Sequence, residues 1–151
     1  FEFNNLSDVI FNYSDERRSK LIAKKIIELR PMKSVNDLVE AIRRSTPPKN
    51  RVKTLARVFQ AIRIEVNNEI NLLKEFLSSF IDKLNDSGRI AIISFHSIED
   101  RLVKHNFKQM SLNGSLDIHT KKPIIPTRYE MSKNLRCKSA KLRIAEKRPY
   151  A

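Results

Sequence analysis

The sequence contains very little cysteine, glycine and histidine, and no tryptophan. A single cysteine, Cys137, rules out a disulfide framework and a thiolate metal cluster. The three histidines lack the spacing that zinc sites use. The two glycines, Gly88 and Gly114, lie far apart, so the chain has no glycine-rich loop of the type that holds nucleotide cofactors.

Long apolar runs are also missing. No stretch approaches the ~20 apolar residues that a membrane span needs, and no secretory signal pattern is present at the start. Together with the lone cysteine, these features favour a soluble, cytoplasmic protein. The first residue is Phe1 and not methionine, which suggests a piece of a longer chain.

Positive charge is what the sequence has in excess. Its 151 residues include 30 lysines and arginines against 17 acidic residues, for a net charge of +13. Residues 121–151 hold ten basic and two acidic side chains. For any one lysine a solvated surface is the simpler interpretation, but an excess of this size favours a polyanionic partner such as nucleic acid.

The chain is organised around residues 88–101, GRIAIISFHSIEDR. The stretch begins at a turn signal, Asn85-Asp86-Ser87-Gly88, and continues as an apolar run without alternation. Such a run predicts a strand buried on both faces, as in a parallel sheet covered by helices. Ser97, with Asp100 three residues later, predicts the cap of a following helix.

The turn between this strand and this helix is where a site is expected, because ligands gather at the carboxyl ends of strands in open α/β sheets. His96 and Ser97 are therefore the candidate catalytic residues. His96 can contact a base or phosphate or accept a proton, or it can simply order the turn through its ring nitrogens. We expect His96→Ala to leave folding nearly intact and Ser97→Ala to remove the helix cap.

Helical periodicity dominates the first half of the sequence. Residues 6–45 predict short helices, one of them capped by Ser34 with Asp37, and Pro47-Pro48 then interrupts the chain. From residue 51 to residue 84 the apolar period is helical throughout, with a bend predicted near Asn67-Asn68.

The second half predicts a helix over residues 98–110, a loop over 111–120 and an edge strand over 121–126. Residues 139–146 alternate and predict a second strand that pairs with this edge strand. The alternation places Lys141 and Arg143 outward, where they would meet RNA, and the apolar residues between them inward.

Three stretches resemble one known family in the same order. ISFHSIEDR is similar to that family's ISFHSLEDR, and the segments ARVFQAIRIEVNNEI (56–70) and KKPIIP…SAKLRIAEK (121–147) also match it. The family is that of the bacterial small-subunit rRNA (cytosine-N4)-methyltransferases, RsmH/MraW. The resemblance covers essentially the whole chain, but this chain looks like only the second half of such an enzyme.

The resemblance implies an α/β fold: the C-terminal half of a class I, Rossmann-like S-adenosylmethionine-dependent methyltransferase sheet. Residues 1–50 would be part of an inserted helical subdomain. Residues 51–151 would contribute the long helix, the central strand and the closing antiparallel strands. The S-adenosylmethionine pocket would lie mostly upstream of this segment, so no cofactor-binding residue is assigned.

The resemblance also implies a function, namely N4-methylation of a cytidine in small-subunit ribosomal RNA, with the rRNA or the small ribosomal subunit as partner. The alternatives are a basic RNA-binding module without chemistry and a lobe that only completes another fold. Basic residues that match the family or lie in the basic tail are the RNA-binding candidates: Arg63, Arg101, Lys138, Lys141 and Arg143.

Overall fold

The computed structural model describes residues 1–149 and divides the chain into two compact units, residues 1–69 and residues 70–151. We call them the helical unit and the sheet unit. None of the helices in the described part of the chain is both long enough and apolar enough to cross a membrane.

The helical unit consists of four helices whose apolar stripes face one another. Helix α1 packs on α2 and α4, and α2 packs on α3. The predicted capping box at the start of α3 is confirmed: the Ser34 hydroxyl accepts from the Asp37 amide at 3.3 Å, and the Asp37 carboxylate accepts from the Ser34 amide at 2.8 Å. The helices are α1 (Phe3–Ser14), α2 (Ser19–Glu28), α3 (Val35–Ser45) and α4 (Arg51–Val66), with a 3-10 turn at Pro48–Asn50. Their shared core consists of Leu6, Ile10, Ile22, Ala23, Ile26, Ala41, Ile42 and Val58.

The helix is interrupted at Asn67-Asn68, where a bend was predicted. Helix α4 ends at Val66 and α5 (Glu69–Ser79) begins three residues later. Asn68 has a φ of 53°, in the left-handed region that asparagine tolerates better than most residues, so the helical hydrogen bonds cannot continue through it.

The sheet unit contains three strands and a long helix. After α5 come a 3-10 turn (Phe80–Lys83), β1 (Arg89–Ser94), α6 (Ser97–Leu112), β2 (Leu116–Ile118), α7 (Arg128–Lys133), a 3-10 turn (Leu135–Ser139) and β3 (Lys141–Lys147). The strand order is β1-β3-β2, with both pairings antiparallel. Helix α6 packs against the sheet. The core consists of Leu77, Phe80, Ile90, Val103, Phe107, Leu116 and Ala145.

The turn that precedes β1 forms as its residues predict. The Gly88 amide donates to the Asn85 carbonyl at 2.8 Å. A Cβ at position 88 would stand 2.7 Å from that same carbonyl oxygen, so glycine is required by close approach. Ser87 supplies the left-handed residue of the turn, with a φ of 60°.

The environment of β1 differs from the prediction of a strand buried on both faces of a parallel sheet. In the described part of the chain β1 has one partner, β3, and it is antiparallel. Ile90 and Ser94 are buried, whereas Ile93 and Phe95 are more than half exposed. The structure therefore shows a mixed α/β protein with a small three-stranded sheet, one side of which is covered by α6.

The remaining strand predictions are partly wrong. Residues 121–126 form no strand, only a single bridge in which Ile124 and Leu142 exchange two 2.9 Å backbone hydrogen bonds. The edge position beside β3 is taken by β2, in the segment predicted as a loop. The alternation of β3 is also reversed, because Arg143 and Ala145 are the buried residues.

Candidate functional site

His96, and not Ser97, caps the helix that follows β1. Its Nδ1 accepts from the Glu99 amide at 3.3 Å, and the Glu99 carboxylate accepts from the His96 amide at 3.3 Å. The same carboxylate accepts from the Phe95 amide at 2.9 Å. Ser97 is the exposed first residue of α6. The expected cap is thus corrected by one residue, because the backbone is still extended at position 96.

The capping geometry determines what the imidazole can do. Since Nδ1 accepts a hydrogen bond, the neutral ring carries its proton on Nε2. That nitrogen lies 3.4 Å from a Glu99 oxygen, and the His96 side chain is only 7% exposed. The ring is therefore held by its own turn, which is the ordering role that the sequence left open. A catalytic role for His96 or Ser97 remains a prediction.

Asp100, the residue after Glu99, forms a buried ion pair. Asp100 of α6 accepts from Arg143 of β3 at 2.7 Å and 3.3 Å, and Lys141 lies 3.4 Å from the same carboxylate. The exposed fraction of the Arg143 side chain is 7%. The expectation that Arg143 faces outward to meet RNA is therefore wrong: its guanidinium is used inside the protein. Lys141 is partly exposed and keeps part of its charge at the surface.

The environment of Asp100 lowers the pKa of its carboxyl. Burial acts to raise the pKa, but the hydrogen bond and charge of Arg143, followed by the charge of Lys141, outweigh burial. A carboxyl whose pKa is lower in the folded than in the unfolded state stabilises the fold at a pH above its pKa in the unfolded state, about 3.9 for aspartate. That stabilisation is lost as the pH falls through the pKa of the folded state.

We therefore expect a pH-dependent difference between the wild-type chain and Asp100→Asn. The variant lacks the titrating group, so the wild-type advantage in free energy of unfolding should be largest above about pH 4 and shrink below it. Urea unfolding followed by circular dichroism between pH 2 and 7 measures this difference, where ~2 and ~7 bracket the titration. A constant difference across the range would contradict the ion pair.

The other RNA-binding candidates lie on α4, on α6 and in the 3-10 turn before β3. Arg63 of α4 pairs with Glu69 at 2.8 Å and 3.0 Å within residues 1–69. Arg101 is exposed on α6, and Lys138 is exposed in the 3-10 turn before β3. Arg63 is exposed but paired, whereas Arg101 and Lys138 are exposed and have no ion pair among the described residues that the structure shows.

Sequence reasoning missed two lysines of α6 that lie beside Lys121 of the basic tail. Lys104 and Lys108 of α6, together with Lys121, line a cavity of about 410 Å³ whose apolar wall includes Phe107 and Ile118. The four-residue spacing of Lys104 and Lys108 places them on one helix face and was a readable signal. The approach of Lys121 depends on the chain path after β2, which the sequence pattern did not indicate.

Comparison with known proteins gives a consistent result along the chain. Residues 1–148 match the model of the MraW methylase family. A ribosomal RNA small subunit methyltransferase H from Rippkaea orientalis is 49% identical over 145 residues, which cover 94% of this chain and 47% of that protein. The proteins of the same name from Trichormus variabilis and Thermosipho africanus are 50% and 47% identical over 146 residues each, covering 47% and 49% of their lengths. The chain thus spans about half the length of these curated relatives.

Proposed function

Because this chain belongs to the MraW methylase family, we propose that it forms part of an rRNA methyltransferase. The enzyme would transfer a methyl group from S-adenosylmethionine to N4 of a cytidine in small-subunit ribosomal RNA. The observation that carries this proposal is the match of residues 1–148 to the family. The name of the three relatives, a methyltransferase of small-subunit ribosomal RNA, supports the substrate.

The proposal includes a finer fold assignment. The sheet unit would complete a class I, Rossmann-like methyltransferase sheet, with β1 as an inner strand and β3 and β2 as its antiparallel edge. Residues 1–50 would belong to a helical subdomain inserted into that domain. Helix α4 shares the core of these residues, so the methyltransferase domain itself would begin near residue 70 and not at residue 51. The exposed side of β1, with Ile93 and Phe95, supports this because an apolar sheet face is stable when another layer covers it.

The turn after β1 does not fit a nucleotide cofactor. A cradle for such a cofactor needs a close-approaching glycine turn and a carboxylate for the ribose. The turn after β1 contains Phe95 and His96 instead, and its nearby carboxylate, Glu99, already accepts two backbone amides. S-adenosylmethionine would supply the methyl group, and we assign no residue of this chain to holding it.

The reaction requires an exocyclic amine to be held in line with a methyl group. The amine lone pair is delocalised into the cytosine ring, so orientation and charge placement supply most of the acceleration. This chain would contribute through a rigid turn at His96 and through cations, Arg101 and Lys138 among them, that bind RNA. The exposed cations of the sheet unit support this part of the proposal.

Methyl incorporation tests the proposal directly. The full-length protein that contains this chain should transfer tritiated methyl groups from S-adenosylmethionine to small-subunit rRNA, with N4-methylcytidine as the product after digestion. Calorimetry with the 151-residue chain alone should show no S-adenosylmethionine binding tighter than roughly millimolar, about 4 kcal/mol.

Two results would contradict this assignment. Micromolar binding by the chain alone would place the cofactor site among residues 1–151. RNA binding by the full-length protein with no methyl transfer to any rRNA would favour the alternative of a basic RNA-binding module.

A further inference from the structure

The helical unit contains a cavity of about 560 Å³ whose wall is dominated by positive charge. Helices α2 and α3, and the first residue of α4, provide most of this wall. One carboxylate, that of Glu28, also lines it. The basic residues in the wall are Arg18, Lys24, Lys25, Arg43, Arg44 and Arg51.

Only part of this charge is neutralised by the protein. Glu28 lies 4.0 Å from Lys24 and 2.5 Å from Lys25, and Glu40, outside the cavity, pairs with Arg44 at 2.8 Å. One carboxylate is thus shared by two lysines. Three further cations of the wall have no carboxylate within ion-pair distance among the described residues: Arg18, Arg43 and Arg51.

Two of these arginines are held in position by the end of α3. Arg18 donates from Nη1 to the Ser45 carbonyl at 3.4 Å, and Arg51 donates from Nε to the Thr46 carbonyl at 3.2 Å. A guanidinium carries five donors, so each keeps further N–H groups for another partner. Holding the side chains before a ligand arrives lowers the entropy that binding would otherwise cost.

The cavity wall also contains a buried hydroxyl without a partner. Thr46 is 4% exposed, lines the cavity, and its Oγ1 has no hydrogen-bond partner among the described residues. Buried polar atoms in folded proteins are almost always hydrogen-bonded, because an unpaired one costs about 1–3 kcal/mol. The Oγ1 atom is itself almost inaccessible, so rotation of the Thr46 side chain would bring it to an acceptor oxygen of a ligand in the cavity.

We propose that this cavity binds phosphate groups of an RNA chain. Phosphate matches the wall in three respects: it is anionic, it accepts several hydrogen bonds, and its oxygens suit the planar fork of arginine. A volume of about 560 Å³ exceeds one phosphate and leaves room for adjoining sugar. That the phosphates belong to RNA rests on the proposed function, whereas the preference for phosphate rests on the cavity alone.

Fluorescence anisotropy with a labelled single-stranded RNA tests the site in the full-length protein that contains this chain. The variant Lys24→Gln with Arg43→Gln removes two cavity charges, and neither residue donates to a backbone carbonyl of the wall. We expect at least tenfold weaker binding at low salt, and a slope of log affinity against log salt that is smaller by about 1.4, at ~0.7 per phosphate contact in single strands.

A matched variant distinguishes RNA binding at the cavity from non-specific attraction of RNA to a positively charged protein. Arg17→Gln with Lys53→Gln removes the same charge from exposed positions of the same unit that do not line the cavity. This pair should weaken RNA binding less than twofold. Equal losses in the two double variants would overturn the proposal, since affinity would then depend on net charge alone.

Two further measurements identify the ligand. Thr46→Val removes the hydroxyl at nearly constant volume, and we expect severalfold weaker RNA binding with an unchanged salt slope and no loss of thermal stability. Unchanged RNA affinity in this variant would show that the Thr46 hydroxyl does not contact the ligand. Inorganic phosphate at constant ionic strength should weaken RNA binding by the wild-type protein more than by the cavity variant, because both ligands would use the same cations. Phosphate binding to the cavity that leaves the RNA affinity of the wild-type protein unchanged would assign the cavity to free phosphate and overturn the RNA assignment.

The outcome is independent of the methylation assay. A selective loss of RNA binding in the cavity variant supports the cavity even if the full-length protein transfers no methyl group. Equal losses in the two double variants overturn the proposal that the cavity binds RNA, even if methyl transfer is demonstrated.

Discussion

Replacing Asp100 with alanine is expected to lower the free energy of unfolding of the sheet unit by about 3 kcal/mol, because it leaves a buried guanidinium without its counter-charge. Arg143 is 6% exposed and directs two N–H groups at this one carboxylate. A loss of this size in a unit of roughly 80 residues lowers the melting temperature by more than about 10 °C. Thermal and urea unfolding followed by circular dichroism measure it.

The partner variant makes the test specific. Arg143→Met should cost less than Asp100→Ala, since Asp100 keeps Lys141 at 3.4 Å when the arginine is removed. The double variant should lose less than the sum of the single variants, because removing both charges leaves no unpaired ion. Additive losses would show that the two side chains act independently and would contradict the coupling.

A surface ion pair of the same unit serves as the matched control. Asp117 and Arg148 lie 2.7 Å apart, but their side chains are 60% and 42% exposed. Exposed pairs contribute little because water screens them. Asp117→Ala should therefore melt close to the wild type, and the contrast with Asp100→Ala isolates the effect of burial.

Replacing His96 with alanine is expected to reduce both stability and methyl transfer. The cap that accepts the Glu99 amide is lost, which costs about 1 kcal/mol. In the full-length enzyme of the proposed function the turn would then lose its fixed shape, and methylation of small-subunit rRNA should fall more than tenfold, equivalent to ~1.4 kcal/mol in the barrier. Thermal melting and tritium incorporation are the two measurements.

Asparagine at this position separates the cap from the imidazole. Asparagine is a strong helix cap, so His96→Asn should recover the stability lost in His96→Ala and most of the methylation. A stable His96→Asn variant that remains more than tenfold slower would instead assign the ring itself to the reaction. Ser97→Ala should leave stability near that of the wild type, because Ser97 is exposed and does not form the cap.

The sequence by itself determined those features that depend on neighbouring residues. The capping box at Ser34, the interruption at Asn68 and the turn before Gly88 were predicted because each depends on side chains and φ preferences within a few positions. Membership of the family could also be predicted, because motifs such as ISFHSIEDR can be recognised in the sequence in the same order as in the family.

Only the tertiary structure decided which residues act as partners across long separations. Asp100 and Arg143 are 43 positions apart, and a lone arginine in an alternating strand is assigned to solvent unless its buried counter-charge is known. The cap moved from Ser97 to His96 because local sequence does not set a helix boundary to within one residue.

The cationic cavity of the helical unit also depends on the tertiary structure. Its charges come from segments such as Lys24 and Arg43, which are unremarkable along the sequence and meet only because α2 packs on α3. Local propensity reports the backbone conformation of each segment. Tertiary packing decides three further features: the burial of Arg143, the unpaired hydroxyl of Thr46 and the concentration of unneutralised charge. The sequence pattern does not show which segments pack against one another, so it could not predict them.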